Sequence, residues 1–127
     1  MKYGYKKQLD VSFEEAIKQT KAELAHAGFG VLTEIDVQAT LKTKLDVDYD
    51  KYVILGACNP SFAHQALMAE KDVGLLLPCN VIVYEDDGKV FVSAVMPTVA
   101  MGAVENAAVE PIARDVEEML KKIVDSL

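Results

Sequence analysis

The chain has two cysteines, Cys58 and Cys79. Each is followed by an asparagine, and each dipeptide touches a proline: Cys58-Asn59-Pro60 and Pro78-Cys79-Asn80. A thiolate is a nucleophile and a soft metal ligand. Two thiols would serve redox, sulfur-transfer or soft-metal chemistry, with Cys58 as the reactive thiolate and Cys79 as its resolving or co-ligating partner. The asparagines would instead serve a polar or anionic ligand. Structural readings compete with both. Free cysteine is among the most often buried residue types and packs as a small apolar group.

The two segments have different local settings. Asn59 is a favoured N-cap, whose side-chain oxygen can accept a first-turn N–H. Pro60 fits the first helical position, where no donor is missed. Cys58 therefore stands just ahead of a helix start, where the positive end of the dipole favours a thiolate or a bound anion. Pro78 cannot donate to a ladder and marks an edge, a strand start or a bulge. Asn80 follows in a strand, where asparagine is depleted. If the hairpin that begins here pairs beside the strand ending at Ala57, the two segments approach each other.

Other candidates carry less. Glu34 and Asp36 share a strand face as a possible acid pair, although Asp36 also suits a helix cap. Lys44 follows on that helix as a possible anion contact. His26 and His64 read as surface residues on helices, and the Cys and His spacings match no zinc pattern. Gly28-Phe29-Gly30 follows a helix and leads into a strand, the reverse of a dinucleotide fingerprint, and there is no Walker A motif. Neither a metal site nor a cofactor is expected.

The bulk numbers bound the setting. A chain of 127 residues builds one domain, residues 1–127, with one core. The net charge of -7 repels phosphate backbones, so nucleic acid is not an expected partner. The N-terminal MKYGYKKQLD has lysines but no apolar run behind them and does not read as a signal peptide. The most apolar window, Val73 to Tyr84, is too short to span a bilayer. The expected compartment is the cytoplasm, with both thiols free.

The elements that must position these residues can be read from local chemistry. A first strand covers residues 2 to 9, with Tyr3 and Tyr5 on one face. Ser12 and Glu15 form a capping box, and Phe13, Ala16, Ile17, Thr20, Leu24 and Ala27 follow at helical spacing. Gly28 ends the helix, with Phe29 meeting Leu24 as in a Schellman end. A strand from Phe29 to Ile35 precedes a short helix capped by Asp36, with Val37, Leu41 and Leu45 on one side. Tyr52 to Ala57 is apolar on both faces and reads as central and buried. A helix runs from Pro60 to about Glu70. Asp87-Gly88 between apolar runs is a two-residue hairpin signal. Pro97 ends the second hairpin strand. A last helix, Ile112 to Leu127, carries Ile112, Val116, Met119, Leu120, Ile123 and Leu127 on one stripe. The sum is an α+β domain, with about five mostly antiparallel strands and helices packed on one face.

Several segments together resemble the domain of unknown function 302 family of bacterial and archaeal proteins. They are Gly28-Phe29-Gly30-Val31, Glu34-Ile35-Asp36-Val37, Leu41-Lys42-Thr43-Lys44-Leu45, Leu55-Gly56-Ala57-Cys58-Asn59-Pro60 and Leu76-Leu77-Pro78-Cys79-Asn80-Val81. The resemblance implies a fold of the TATA-binding-protein-like class and a homodimer. It implies no activity. It carries over Cys58, Asn59, Pro60, Pro78, Cys79, Asn80, Glu34, Asp36 and Lys44 as site residues without roles.

Three functions fit these residues. The first is a module binding a small polar or anionic ligand near the Cys58-Asn59-Pro60 helix start, using Cys58, Asn59, Cys79, Asn80, Lys44, Glu34 and Asp36. The second is thiol, sulfur-transfer or soft-metal chemistry at Cys58 and Cys79. The third is a dimeric interaction protein without a small ligand.

Overall fold

The computed structural model describes residues 2–127. Five strands form one sheet: β1 (Gly4–Leu9), β2 (Gly30–Asp36), β3 (Tyr52–Cys58), β4 (Cys79–Asp86) and β5 (Lys89–Val95). Their order is β1-β5-β4-β3-β2, and every pairing is antiparallel. The helices are α1 (Phe13–His26), α2 (Val37–Leu45), α3 (Pro60–Ala69), α4 (Pro97–Ala100) and α5 (Val109–Ser126), with a 3-10 segment at Lys71–Leu76. The chain is thus the expected α+β domain.

One sheet face makes the core. Leu9, Val53, Leu55, Ala57, Cys79, Val81, Val83, Val90, Val92 and Ala94 point to α1 and α5 and are buried with them. Phe13, Ala16, Thr20 and Leu24 line the inner side of α1. Val116, Leu120, Ile123 and Val124 line that of α5. Among the described residues no helix is stacked across the centre of the opposite sheet face. It carries a ladder of rings instead: Tyr52 stacks on Tyr84, and Tyr84 on Phe91, each at 5.4 Å between centroids. β3 is therefore an interior strand with one buried face, and its Tyr52 and Ile54 side is half open.

Local chemistry sets the ends. Ser12 caps α1 by accepting the Glu15 N–H at 3.1 Å. The expected return bond is replaced, because the Glu15 carboxylate accepts the Gln19 amide at 3.3 Å. Gly28 N–H donates to Ala25 O and Phe29 N–H to Leu24 O, at 3.0 and 2.8 Å. These are the two bonds of a Schellman end. Asp87 and Gly88 turn the β4–β5 hairpin with φ of 52° and 75°, the positive pair a type I′ turn needs.

Two expectations are corrected, the shared face of Tyr3 and Tyr5 and the start of the last helix, and two segments left open by the sequence are defined. Tyr3 and Tyr5 do not share a face: Tyr5 donates to Asp125 of α5 at 2.8 Å, while Tyr3 borders the open sheet face. Tyr3 lies just before β1, so strand alternation does not bind it. The Val37, Leu41 and Leu45 side of α2 is not part of the core; no residue of α2 is buried, and Leu45 is 66% exposed. The last helix starts at Val109 because Pro111 is accommodated in its first turn, where a missing N–H costs nothing. Between Pro97 and that helix lie one short helix, α4, and turns.

Glu117, which stands beside Glu118 in the sequence, is nearly buried. Its carboxylate accepts the Thr98 N–H at 3.0 Å and the Thr98 hydroxyl at 2.7 Å. The charge neutralises the donor-rich start of α4 and fixes the segment after β5 against α5.

Candidate functional site

The β3–β4 pairing joins the two cysteine segments. Ala57 is the cross-strand partner of Cys79, and Gly56 that of Asn80. Cys58 is the next residue along β3. Both cysteines are free thiols, Cys58 half-buried and Cys79 buried. Together with Asn59 they line one apolar cavity of about 30 Å³, closed by Phe29, Phe62, Met101, Ile112 and Val116. A cavity of that size admits about two water-sized groups. Burial pushes the Cys79 thiol up from 9.0 to about 11, and the neighbouring Cys58 adds to the effect. At neutral pH Cys79 is therefore a neutral thiol.

Asn59 occupies the cap position of α3, ahead of Pro60, but its side chain makes no cap bond. The expected cap is corrected to a positional one. Asp36 provides the contrast, since its carboxylate accepts the Ala39 N–H at 2.9 Å. The Asn59 amide instead turns back toward Gly28, where its nitrogen lies 3.5 Å from the position a β-carbon would take. The first-turn donors of α3 are left to solvent or ligand.

A second space adjoins the cavity. Met101 and Ala113 border both the apolar cavity and a polar cleft of about 590 Å³. The cleft is lined by Thr98, Glu105, Asn106, Glu110 and Arg114 among others. Arg114 is paired with Glu110 at 2.9 Å on the exposed side of α5. Asn106 donates to Ala69 O at 2.8 Å and to Glu70 at 3.1 Å, tying the end of α3 to the approach of α5. Sequence reasoning missed this cleft, because most of its residues lie between positions 98 and 110, where the sequence has no strong periodicity.

The remaining candidates lie elsewhere. Strand alternation sends Asn80 to the opposite side from Cys79, and it is exposed on the open sheet face. The sequence held the signal: Cys79 is in step with the inward Val81 and Val83, and Asn80 is out of step. Glu34 and Asp36 do share a face, opposite Leu55 and Val53. They form no acid pair, since Glu34 is bound to Lys21 of α1 and Asp36 caps α2. Lys44 lies with them along the outer side of α2, away from the cysteines. His64 is exposed on α3, and His26 is exposed beside Glu23 at 3.9 Å. Among the described residues no three His, Cys, Asp or Glu side chains gather as metal ligands. No helix is long and apolar enough to cross a membrane among those residues.

Fold and site together define a two-layer α+β protein with two free thiols meeting at a sheet end beneath a helix start. Residues 5–127 match the model of the domain of unknown function DUF302, and the chain belongs to that family. A crystal structure of an uncharacterized conserved protein DUF302 from Bacillus stearothermophilus is similar throughout. It shares 31% identity, covers 98% of each chain and superposes with a TM-score of 0.92. No curated protein matches the chain.

Proposed function

We propose that the protein is a binding module for a small molecule with an apolar body and a polar or anionic end. The site is the corner walled by Cys58, Asn59 and Cys79. One observation carries this reading: residues from the ends of two strands converge on one apolar cavity, and Met101 and Ala113 border both that cavity and a polar cleft. The apolar body would enter between Phe29, Phe62 and Ile112. The polar end would meet the Asn59 amide, the free donors of α3 or, past Met101, Arg114. Ligand pockets commonly combine apolar walls with few polar groups in this way. Asn80, Lys44, Glu34 and Asp36 are too dispersed to take part.

The test is a titration of the isotope-labelled protein with propionate and, in parallel, propanol, whose apolar tails match a space for about two water-sized groups. Binding at this corner shifts the amide resonances of Cys58, Asn59, Cys79 and Arg114, with the acid favoured. Met101→Ala opens the partition and tightens binding. An absence of shifts in both the parent and the Met101→Ala protein rejects the reading.

Thiol chemistry is the second reading, favoured by the meeting of Cys58 and Cys79 at one cavity. The buried Cys79 is held protonated, so Cys58 would be the attacking sulfur. A peroxide would take two hydrogens from the two thiols, leaving as two waters while one S–S bond forms. Mass spectrometry after peroxide treatment checks it: an internal disulfide supports the reading, and separate overoxidation of the two cysteines rejects it.

Self-association as a homodimer, the partner implied by the family resemblance, also has support. The β2–α2 arm exposes Leu32, Ile35, Leu45, Val47 and Tyr49, and β2 is an edge strand. Exposed apolar residues beside an unpaired edge favour docking of another chain.

A further inference from the structure

The open face of the sheet carries a groove of about 460 Å³ that shares no lining residue with the cysteine corner. Its volume falls in the range of small-molecule sites, about 300–1,000 Å³. Cross-strand pairs place Gly4, Ile82 and Ser93 on its floor. The Tyr52–Tyr84 stack borders one side, and Tyr3 and Asn80 border the rest.

Three features distinguish this groove from a merely uncovered sheet. The first is Lys6, the one cation in its lining among the described residues. Its ammonium donates to the Tyr84 hydroxyl at 2.9 Å and stands 5.6 and 5.3 Å from the Tyr84 and Phe91 ring centroids. It forms no ion pair with a carboxylate among the described residues, and no Asp or Glu lines the groove. In a chain of net charge -7 this is an uncommon local excess of positive charge. Asp86, at the outer end of β4, is the nearest acidic influence on it.

The second feature is Asn80. It is exposed in a strand, a setting where asparagine is depleted, and its amide takes part in no side-chain hydrogen bond among the described residues. The third is the floor. Gly4 and Ser93 are small where neighbouring strand positions are large, which leaves a flat bed beside the rings.

We propose that this groove binds a planar organic carboxylate. The ring lies on the Gly4, Ile82 and Ser93 floor, against the edges of Tyr52 and Tyr84. The carboxylate takes the Lys6 ammonium, which the ring faces hold in place. Asn80 meets a hydroxyl or carbonyl at the far end of the ring. A single cation neutralises one charge, so the ligand is a monoanion and not a nucleic acid, whose binding needs several phosphate contacts.

The probe is 6-hydroxy-2-naphthoate, with 6-hydroxy-2-naphthamide as its neutral counterpart, titrated into the full chain and followed by backbone amide resonances. The carboxylate saturates shifts at Lys6, Asn80, Ile82 and Ser93, and binds about tenfold or more tightly than the amide, as a hydrogen bond to a charged group requires. Lys6→Gln, a change at an exposed position, abolishes that preference. Asn80→Ala weakens both ligands about threefold to tenfold, the effect of one hydrogen bond. Asn59→Ala leaves binding unchanged, which separates this groove from the cysteine corner. Equal binding of carboxylate and amide overturns the proposal. So do shifts centred on Cys58 and Asn59, or protection of the groove by a second copy of the chain in the absence of probe.

Discussion

Gly56 is where the packing beside the cysteines leaves least room. A β-carbon there would stand 2.1 Å from the Thr33 hydroxyl oxygen and 2.9 Å from Cγ of Pro78. The two contacts differ in kind. The Thr33 hydroxyl can rotate away. The Pro78 ring cannot, and it is bonded to Cys79. Gly56→Ala should therefore displace Pro78 and, with it, the buried thiol.

Two effects of opposite sign compete. Alanine restricts the unfolded chain and would stabilise by about 0.4–1 kcal/mol at a site it fits. Overpacking of a dense interior costs about 1–3 kcal/mol. At mid-range the overpacking term wins, leaving about 1.3 kcal/mol of destabilisation. For 127 residues, 1 kcal/mol corresponds to about 4 °C in Tm. The expected loss is thus about 5 °C, measured by circular dichroism melting. Thr33→Ala in the same background should recover only part of it, because the Pro78 contact remains. Alkylation of Cys79 in the native protein should be faster in Gly56→Ala. An unchanged Tm with unchanged Cys79 alkylation would refute the argument. Full rescue by Thr33→Ala would refute the part assigned to Pro78.

Three further outcomes are expected. The Cys79 thiol ordinarily ionises near 9.0 and is raised to about 11 in the fold; its contribution to stability is complete below pH 9 and is lost as pH rises toward 11. That loss amounts to about 3 kcal/mol, and urea unfolding of the parent and Cys79→Ala at pH 8 and pH 11 isolates it from the lysines and tyrosines that titrate nearby. Glu117→Ala removes both bonds to Thr98 and should cost about 2–3 kcal/mol in urea unfolding, whereas Glu118→Ala, on the exposed side, should cost under about 0.5 kcal/mol. Ile35→Lys on the β2 edge should convert a dimer to monomer in sedimentation equilibrium and leave Tm independent of protein concentration; a parent chain that is monomeric at all concentrations rejects self-association.

The features legible in the sequence were those set by a few adjacent residues. Ser12 before Phe13, Gly28 before Phe29, and Asp87-Gly88 each act through bonds or dihedrals within one turn, so their chemistry specifies them wherever the chain goes. The features that were not legible depend on distant partners. Thr33 meets Gly56 only because β2 changes register between Val31 and Thr33. Glu117 looks like a solvated charge until α4 is brought to it. α2 has apolar residues at helical spacing, but its place outside the sheet leaves them without a core to join.

The two Cys-Asn segments show the same division. Their likeness is one of sequence, and the fold treats them oppositely. At Cys58-Asn59 the chain leaves a strand for a helix, so alternation ends and both residues border the apolar cavity. At Cys79-Asn80 the chain enters a strand, so alternation begins and the two side chains part across the sheet. The thiols converge because Cys79 is in phase with the core. The amides diverge for the same reason. Asn59 therefore borders the cysteine corner, and Asn80 the groove on the open face. Asn59→Ala and Asn80→Ala should accordingly affect different ligands, and a single ligand lost equally in both variants would contradict the separation.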